Sequence, residues 1–241
     1  MAVDTRVPKA AAVVVGTKAK KRTSSVALKI FMAVTGILLV LFLYAHMIGN
    51  LKIFFGEGTF DHYAHWLRTI GTPILPNEWY LWIQRGGLTI AVVGHVAAAT
   101  ILARRARQAR PVKYAHRPKV QGSYAARTMR WGGVIILLFV IYHILDLTTL
   151  TLNPNGQDGK VYANVVADFA PARWYVTLFY TLAIVAIGFH LRHGLWSALR
   201  TLGQQKPRGE RIARATAFVL SLVLVVGYLS VPFAVLTGLV G

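Results

Sequence analysis

Residues 174–200 read WYVTLFYTLAIVAIGFHLRHGLWSALR. From Trp174 to Phe189 the stretch carries no charge, and then His190, Arg192 and His193 follow within four positions. A helix rises ~1.5 Å per residue and the hydrocarbon core of a bilayer is ~30 Å thick, so about 20 apolar residues make one crossing. This segment supplies them. A polar ring inside a span is costly unless it is paired, so His190 asks for a partner.

Four further stretches have the same character: Leu28–Leu51, Tyr80–Leu102, Met129–Leu150 and Ile212–Leu236. Three of them hold one histidine each, His46, His95 and His143. The whole chain of 241 residues is 55% hydrophobic and 15% charged, with a mean hydropathy of +0.51, far from a water-soluble domain. The expected fold is therefore an all-α integral membrane protein. Residues 1–27 form a basic tail, and residues 28–241 form a five-transmembrane-helix bundle with spans at about 28–51, 80–102, 129–150, 174–199 and 212–236.

A formal charge of +19 invites a nucleic-acid reading, but the basic residues sit in short loops beside spans and no nucleic-acid-binding motif accompanies them. They report orientation instead. Lys18, Lys20, Lys21 and Arg22 precede the first span, Arg104 to Arg130 hold nine cations between the second and third, and Arg200 to Arg214 link the fourth and fifth. Glu57, Asp61, Glu78, Asp146, Asp158 and Asp168 gather at the opposite ends. The positive-inside rule then puts the N-terminus in the cytoplasm and the C-terminus outside, in a multi-pass protein of the cell membrane whose inner loops touch anionic lipid. The N-terminal tail is too short in apolar core for a signal peptide. No cysteine is present, so this chain alone forms no disulfide and holds no thiolate-bound metal.

The loops add little chemistry. In the first outer loop Thr59 or Asp61 is expected to cap a short helix carrying His62 and His65 on one face, as interfacial residues, and Pro73 and Pro76 end it. The inner loop holds His116 between Pro111 and Pro118. The second outer loop opens on the turn-forming run Asn153-Pro154-Asn155-Gly156 and leaves room for a short amphipathic helix before Pro171. Walker, GxSxG and HExxH motifs are missing, which argues against nucleotide chemistry and hydrolysis.

Helix rise converts position into depth. His46 lies ~27 Å along the first span and His143 ~21 Å along the third, both towards the outside. The second and fourth spans run the other way, so His95 at ~22 Å and His190 at ~24 Å fall in the inner half. Each level thus holds two imidazoles from different helices, the arrangement that bis-histidine ligation of a haem iron requires. A proton relay through the same rings, in a channel or small transporter, is the competing reading, and histidines that merely pack in a redox-inactive anchor are a third.

Particular stretches also resemble a known family. KIFMAVTGILL and YAHMIGNLKIFFG in the first span, FDHYAHWLR in the outer loop, RTMRWGGVIILLFVIYHILD in the third span and FHLRHGLWSALRTLG in the fourth are similar to the cytochrome b membrane anchor of succinate dehydrogenase and fumarate reductase, in its five-helix single-chain form. That resemblance implies two b haems, an inner one on His95 and His190 and an outer one on His46 and His143. It implies partners as well: a flavoprotein, and an iron–sulfur protein docked on the cytoplasmic face, with electrons passing to membrane quinone in a respiratory succinate:quinone oxidoreductase whose dicarboxylate site is on another chain. His193, beside His190, is an extra imidazole and opens an alternative, a Rieske-like [2Fe–2S] centre completed by two cysteines of the iron–sulfur partner. Ser24, Ser25, Lys29, Arg127 and Trp131 at the inner edge are expected to serve a quinone, with Asp146 and Arg85 as outer options and Asp146 a candidate for proton delivery.

Overall fold

The computed structural model describes residues 23–109, 124–203 and 206–241, with the backbone alone at 124–128. The tail before Thr23 and the inner loop with His116 lie outside the described residues. Seven α-helices follow: α1 (Ser25–Asn50), α2 (Glu57–Thr69), α3 (Trp79–Gln108), α4 (Tyr124–His143), α5 (Val161–Asp168), α6 (Trp174–Thr201) and α7 (Pro207–Leu236). Five of these paths, α1, α3, α4, α6 and α7 with their short extensions, are long and apolar enough to cross a membrane. With no water in hydrocarbon, each crossing satisfies its backbone groups within itself, which is why the apolar runs become helices.

α6 is the axis of the bundle. It packs against α7, α4 and α1, and α3 joins the group through α1. Its buried face is Tyr180, Ala183, Ile184, Ile187 and Leu191, a stripe at helical spacing. Lipid gives no hydrophobic drive to helix pairing, so close fit and interhelical hydrogen bonds hold the bundle. At Gly188 an added Cβ would stand 2.5 Å from Val225 Cγ2, so only glycine admits α7 at this distance. Tyr44 donates to the Leu220 carbonyl at 2.6 Å and Tyr228 to the Leu43 carbonyl at 2.8 Å, fastening one level of α1 to two positions on α7. On the other side α1 and α3 present Val26, Leu41, Ile90 and Val93 outward, each more than 60% exposed, as a lipid-facing flank requires.

Two loops differ in detail from expectation. α2 begins at Glu57, straight after Gly56 at φ +88°, so neither Thr59 nor Asp61 caps it. Asp61 instead accepts the Tyr162 amide at 2.9 Å, joining α2 to α5 over one end of the bundle. The third crossing ends in a π-helical turn, Ile144–Thr148, which carries Asp146 inward to complete burial. The turn at Asn153 forms through its own side chain, which accepts the Asn155 amide at 3.0 Å.

Candidate functional site

The four span histidines meet as two couples. His46 of α1 and His143 of α4 have ring centroids 5.9 Å apart with planes at 80°, and His95 of α3 and His190 of α6 are 6.4 Å apart at 62°. All four rings are half-buried within this chain. A metal–imidazole bond is about 2 Å and a ring nitrogen lies about 1 Å from its centroid, so rings on opposite sides of one metal have centroids roughly 6 Å apart. Both couples meet that spacing. The levels are separated as well: Tyr180, beside His143, and His190 are ten residues apart on α6, about 15 Å along its axis.

Each couple has a ring whose free nitrogen is set by its neighbours. His95 Nδ1 lies 3.1 Å from the Met32 carbonyl, which only accepts, so Nδ1 carries the proton and Nε2 keeps its lone pair. Thr35 Oγ1 stands 3.3 Å from the same nitrogen while donating to the Phe31 carbonyl. At the other level Tyr180 donates its single proton to Asp146 Oδ2 at 2.9 Å. Its oxygen therefore accepts from His143 Nδ1 at 3.3 Å, again leaving Nε2 unprotonated. Phe42 stacks on His46 and Phe139 on His143, with centroids 5.3 and 5.8 Å away, so the rings are fixed from their flanks.

The residues present fit a flat macrocycle held through two imidazoles. Glycine stands beside both inner rings: a Cβ at Gly36 would press on His95 Cε1 at 3.3 Å, and one at Gly133 would make ordinary contact with His190 Cε1 at 3.7 Å. His190 Nδ1 is buried and meets no hydrogen-bond partner in good geometry among the described residues, with the Met129 backbone beside it. Among the described residues no three metal-ligating side chains cluster, so the donors come in twos.

Beyond the inner couple, the half-buried His193 rests on Trp196 at 5.5 Å, and the indole is flanked by the guanidiniums of Arg200 and Arg214 at 5.3 and 4.9 Å. Arg192 lies over Phe218. The residues expected to serve a quinone are not gathered into one pocket. Ser24 caps α1 by accepting the Val26 amide, and Ser25 accepts from Arg105 at 2.9 Å. Lys29 and Trp131 are exposed, and the side chain of Arg127 is outside the described set. His62 and His65 are exposed on α2, as interfacial residues are, and exposed Arg85 pairs with Glu78 at 4.0 Å.

Sequence reasoning overlooked Tyr180, Thr35, Asp168 and Arg173. Depth was the available signal for the first: Tyr180 is six residues from Trp174, ~9 Å, and His143 five residues from Thr148, ~7.5 Å, so the two lie at one height.

Residues 103–228 match the family model described as succinate dehydrogenase/fumarate reductase transmembrane subunit. Comparisons with curated proteins and with solved structures return no match.

Proposed function

Because the chain belongs to the succinate dehydrogenase/fumarate reductase transmembrane subunit family, we propose that it carries electrons between an iron–sulfur partner and membrane quinone through two haem b groups. The protein is a multi-pass membrane subunit of such a complex. The observation that carries the proposal is the pairing of four span histidines at metal-bridging distance in two couples. Bound there, haem supplies one-electron chemistry at iron.

The protein's part is to hold and tune. His95 and His190 serve as inner ligands, His46 and His143 as outer ones, with the Met32 carbonyl and Tyr180 fixing which nitrogen of His95 and His143 points inward. The basic loops, cytoplasmic by the charge asymmetry, receive the iron–sulfur protein, which in turn carries the flavoprotein where succinate is oxidised. Lys29 and Trp131, exposed at the inner edge, are the quinone contacts this reading favours. The Rieske-like alternative draws on His190 and His193 and yields no haem spectrum.

A redox difference spectrum of the purified complex, with pyridine haemochrome quantitation, tests the reading. Two haems b per chain is the expected result. A complex without haem absorbance overturns it, and a Rieske-type electron paramagnetic resonance signal in its place identifies the alternative.

A further inference from the structure

Beside the outer couple lie two aspartates, Asp146 and Asp168, both with no solvent exposure. Their carboxyls are within hydrogen-bonding reach of each other. Two of the four oxygens have cationic or hydroxyl partners: Tyr180 donates to Asp146 Oδ2 at 2.9 Å, and Arg173 Nη2 lies 3.0 Å from Asp168 Oδ1. The other two, Asp146 Oδ1 and Asp168 Oδ2, are buried and meet no donor among the described residues. A buried carboxylate oxygen without a donor is costly, and two carboxylates against one guanidinium leave a net negative charge in a low-dielectric site. One proton held between the carboxyls removes both costs. The cluster then carries no net charge.

The site has two sides. Towards the bundle, Tyr180 joins Asp146 to His143 Nδ1 in a continuous run of polar contacts. Towards water, Arg173 also donates to Asn153 Oδ1 at 3.2 Å, directly under the exposed turn at 154–160. We propose that Asp168, set against Asp146, binds one proton on reduction of the outer centre held by His46 and His143 and releases it on reoxidation, exchanging it with water on the Arg173 side. The electron comes from the iron–sulfur partner and the proton from water, so each one-electron step moves one charge of each sign and leaves the region's net charge unchanged. This inference rests on the haem reading above.

Geometry limits what else could take the proton. The groups facing the pair are Tyr142 of α4, Tyr180 of α6, and Arg173, with His143 reached only through the Tyr180 hydroxyl; Asp61 of α2 is already spent on the Tyr162 amide. Arginine stays charged, and both tyrosines have ordinary ionisation far above neutrality. Burial, followed by the hydrogen bond and charge of Asp146, pushes Asp168 up to about 7 against the opposing pull of Arg173. Below that pH the pair holds its proton whether the centre is oxidised or reduced, and the potential is flat. Above it, reduction draws a proton in, and the potential falls as pH rises by up to tenfold in the equilibrium constant per pH unit, about 59 mV for one electron.

The test uses the purified complex, with infrared difference spectra recorded on electrochemical reduction and haem content measured in parallel. A protonated-carboxyl band that grows on reduction above pH 7, shifts in heavy water and disappears in Asp168→Asn supports the proposal. So does a sloped potential of the outer centre that Asp168→Asn flattens. Asp146→Asn serves as the second variant should Asp168→Asn fail to assemble. With two haems present, an unchanged carboxyl band and a flat potential overturn the proton site alone. Absence of haem overturns the haem reading and this inference together.

Discussion

The two histidine couples share one geometry and differ in everything around it. The His95–His190 couple is oriented by main chain, through the Met32 carbonyl, and it borders a face of cations: Arg192, Arg200 and Arg214 all lie on aromatic rings nearby. The His46–His143 couple is oriented by a side-chain run, Tyr180 to Asp146, that ends on a buried acid and an arginine. A carbonyl offers one fixed acceptor. A hydroxyl backed by a carboxylate offers an acceptor whose strength follows the charge behind it. Identical side chains thus have different electrostatic surroundings, and under the proposed haem reading that difference would give the two centres unequal potentials.

The strongest way to break the comparison is to remove a ligand from one level at a time. His190→Ala is expected to halve the haem content and abolish quinone reduction, and His143→Ala to halve it while leaving the inner centre's spectrum in place; haemochrome assay and turnover read both. If either variant loses both haems, the levels are not independent. Next in size, Tyr180→Phe removes the acceptor of His143 and should weaken retention of the outer haem about 10–100-fold, a typical cost of losing an outer-shell partner, with the inner haem unaffected. Titration of haem release separates the two. Gly188→Ala drives a methyl into Val225 and is expected to lower stability by about 1–3 kcal/mol without favouring either level, so thermal unfolding falls while the haem ratio stays fixed. Smallest of all, Thr35→Val leaves the Met32 carbonyl on His95 and costs about 1 kcal/mol or less in inner-haem affinity. A larger loss would mean that Thr35, and not the carbonyl, orients the ring.

What was legible in the sequence was whatever obeys a long, one-dimensional rule. Five apolar runs, each about 20 residues long, announce five helical crossings because a helix satisfies its backbone within one segment, and helix rise converts His46, His95, His143 and His190 into depths. Depth pairs residues but says nothing of azimuth, so it did not show that Tyr180 turns towards His143. Asp168 and Arg173 were hidden for another reason. They sit on a short helix and a 3₁₀ turn whose placement depends on how α5 folds over the bundle, and that is set by contacts such as Asp61 with the Tyr162 amide, a hundred and one residues apart. Capping was misjudged where Gly56 starts α2 early, because a positive φ leaves no side-chain signature beyond glycine itself.

The widened turn at Ile144–Thr148 closes α4 on a wider circle than an α-helix follows. Excising one residue there would let the helix run on regularly, and would swing everything downstream by about 100°. The chain would gain a smoother end and lose the inward aim of Asp146. At this point the count of residues, as much as their identity, is what fixes where an acid stands in the membrane.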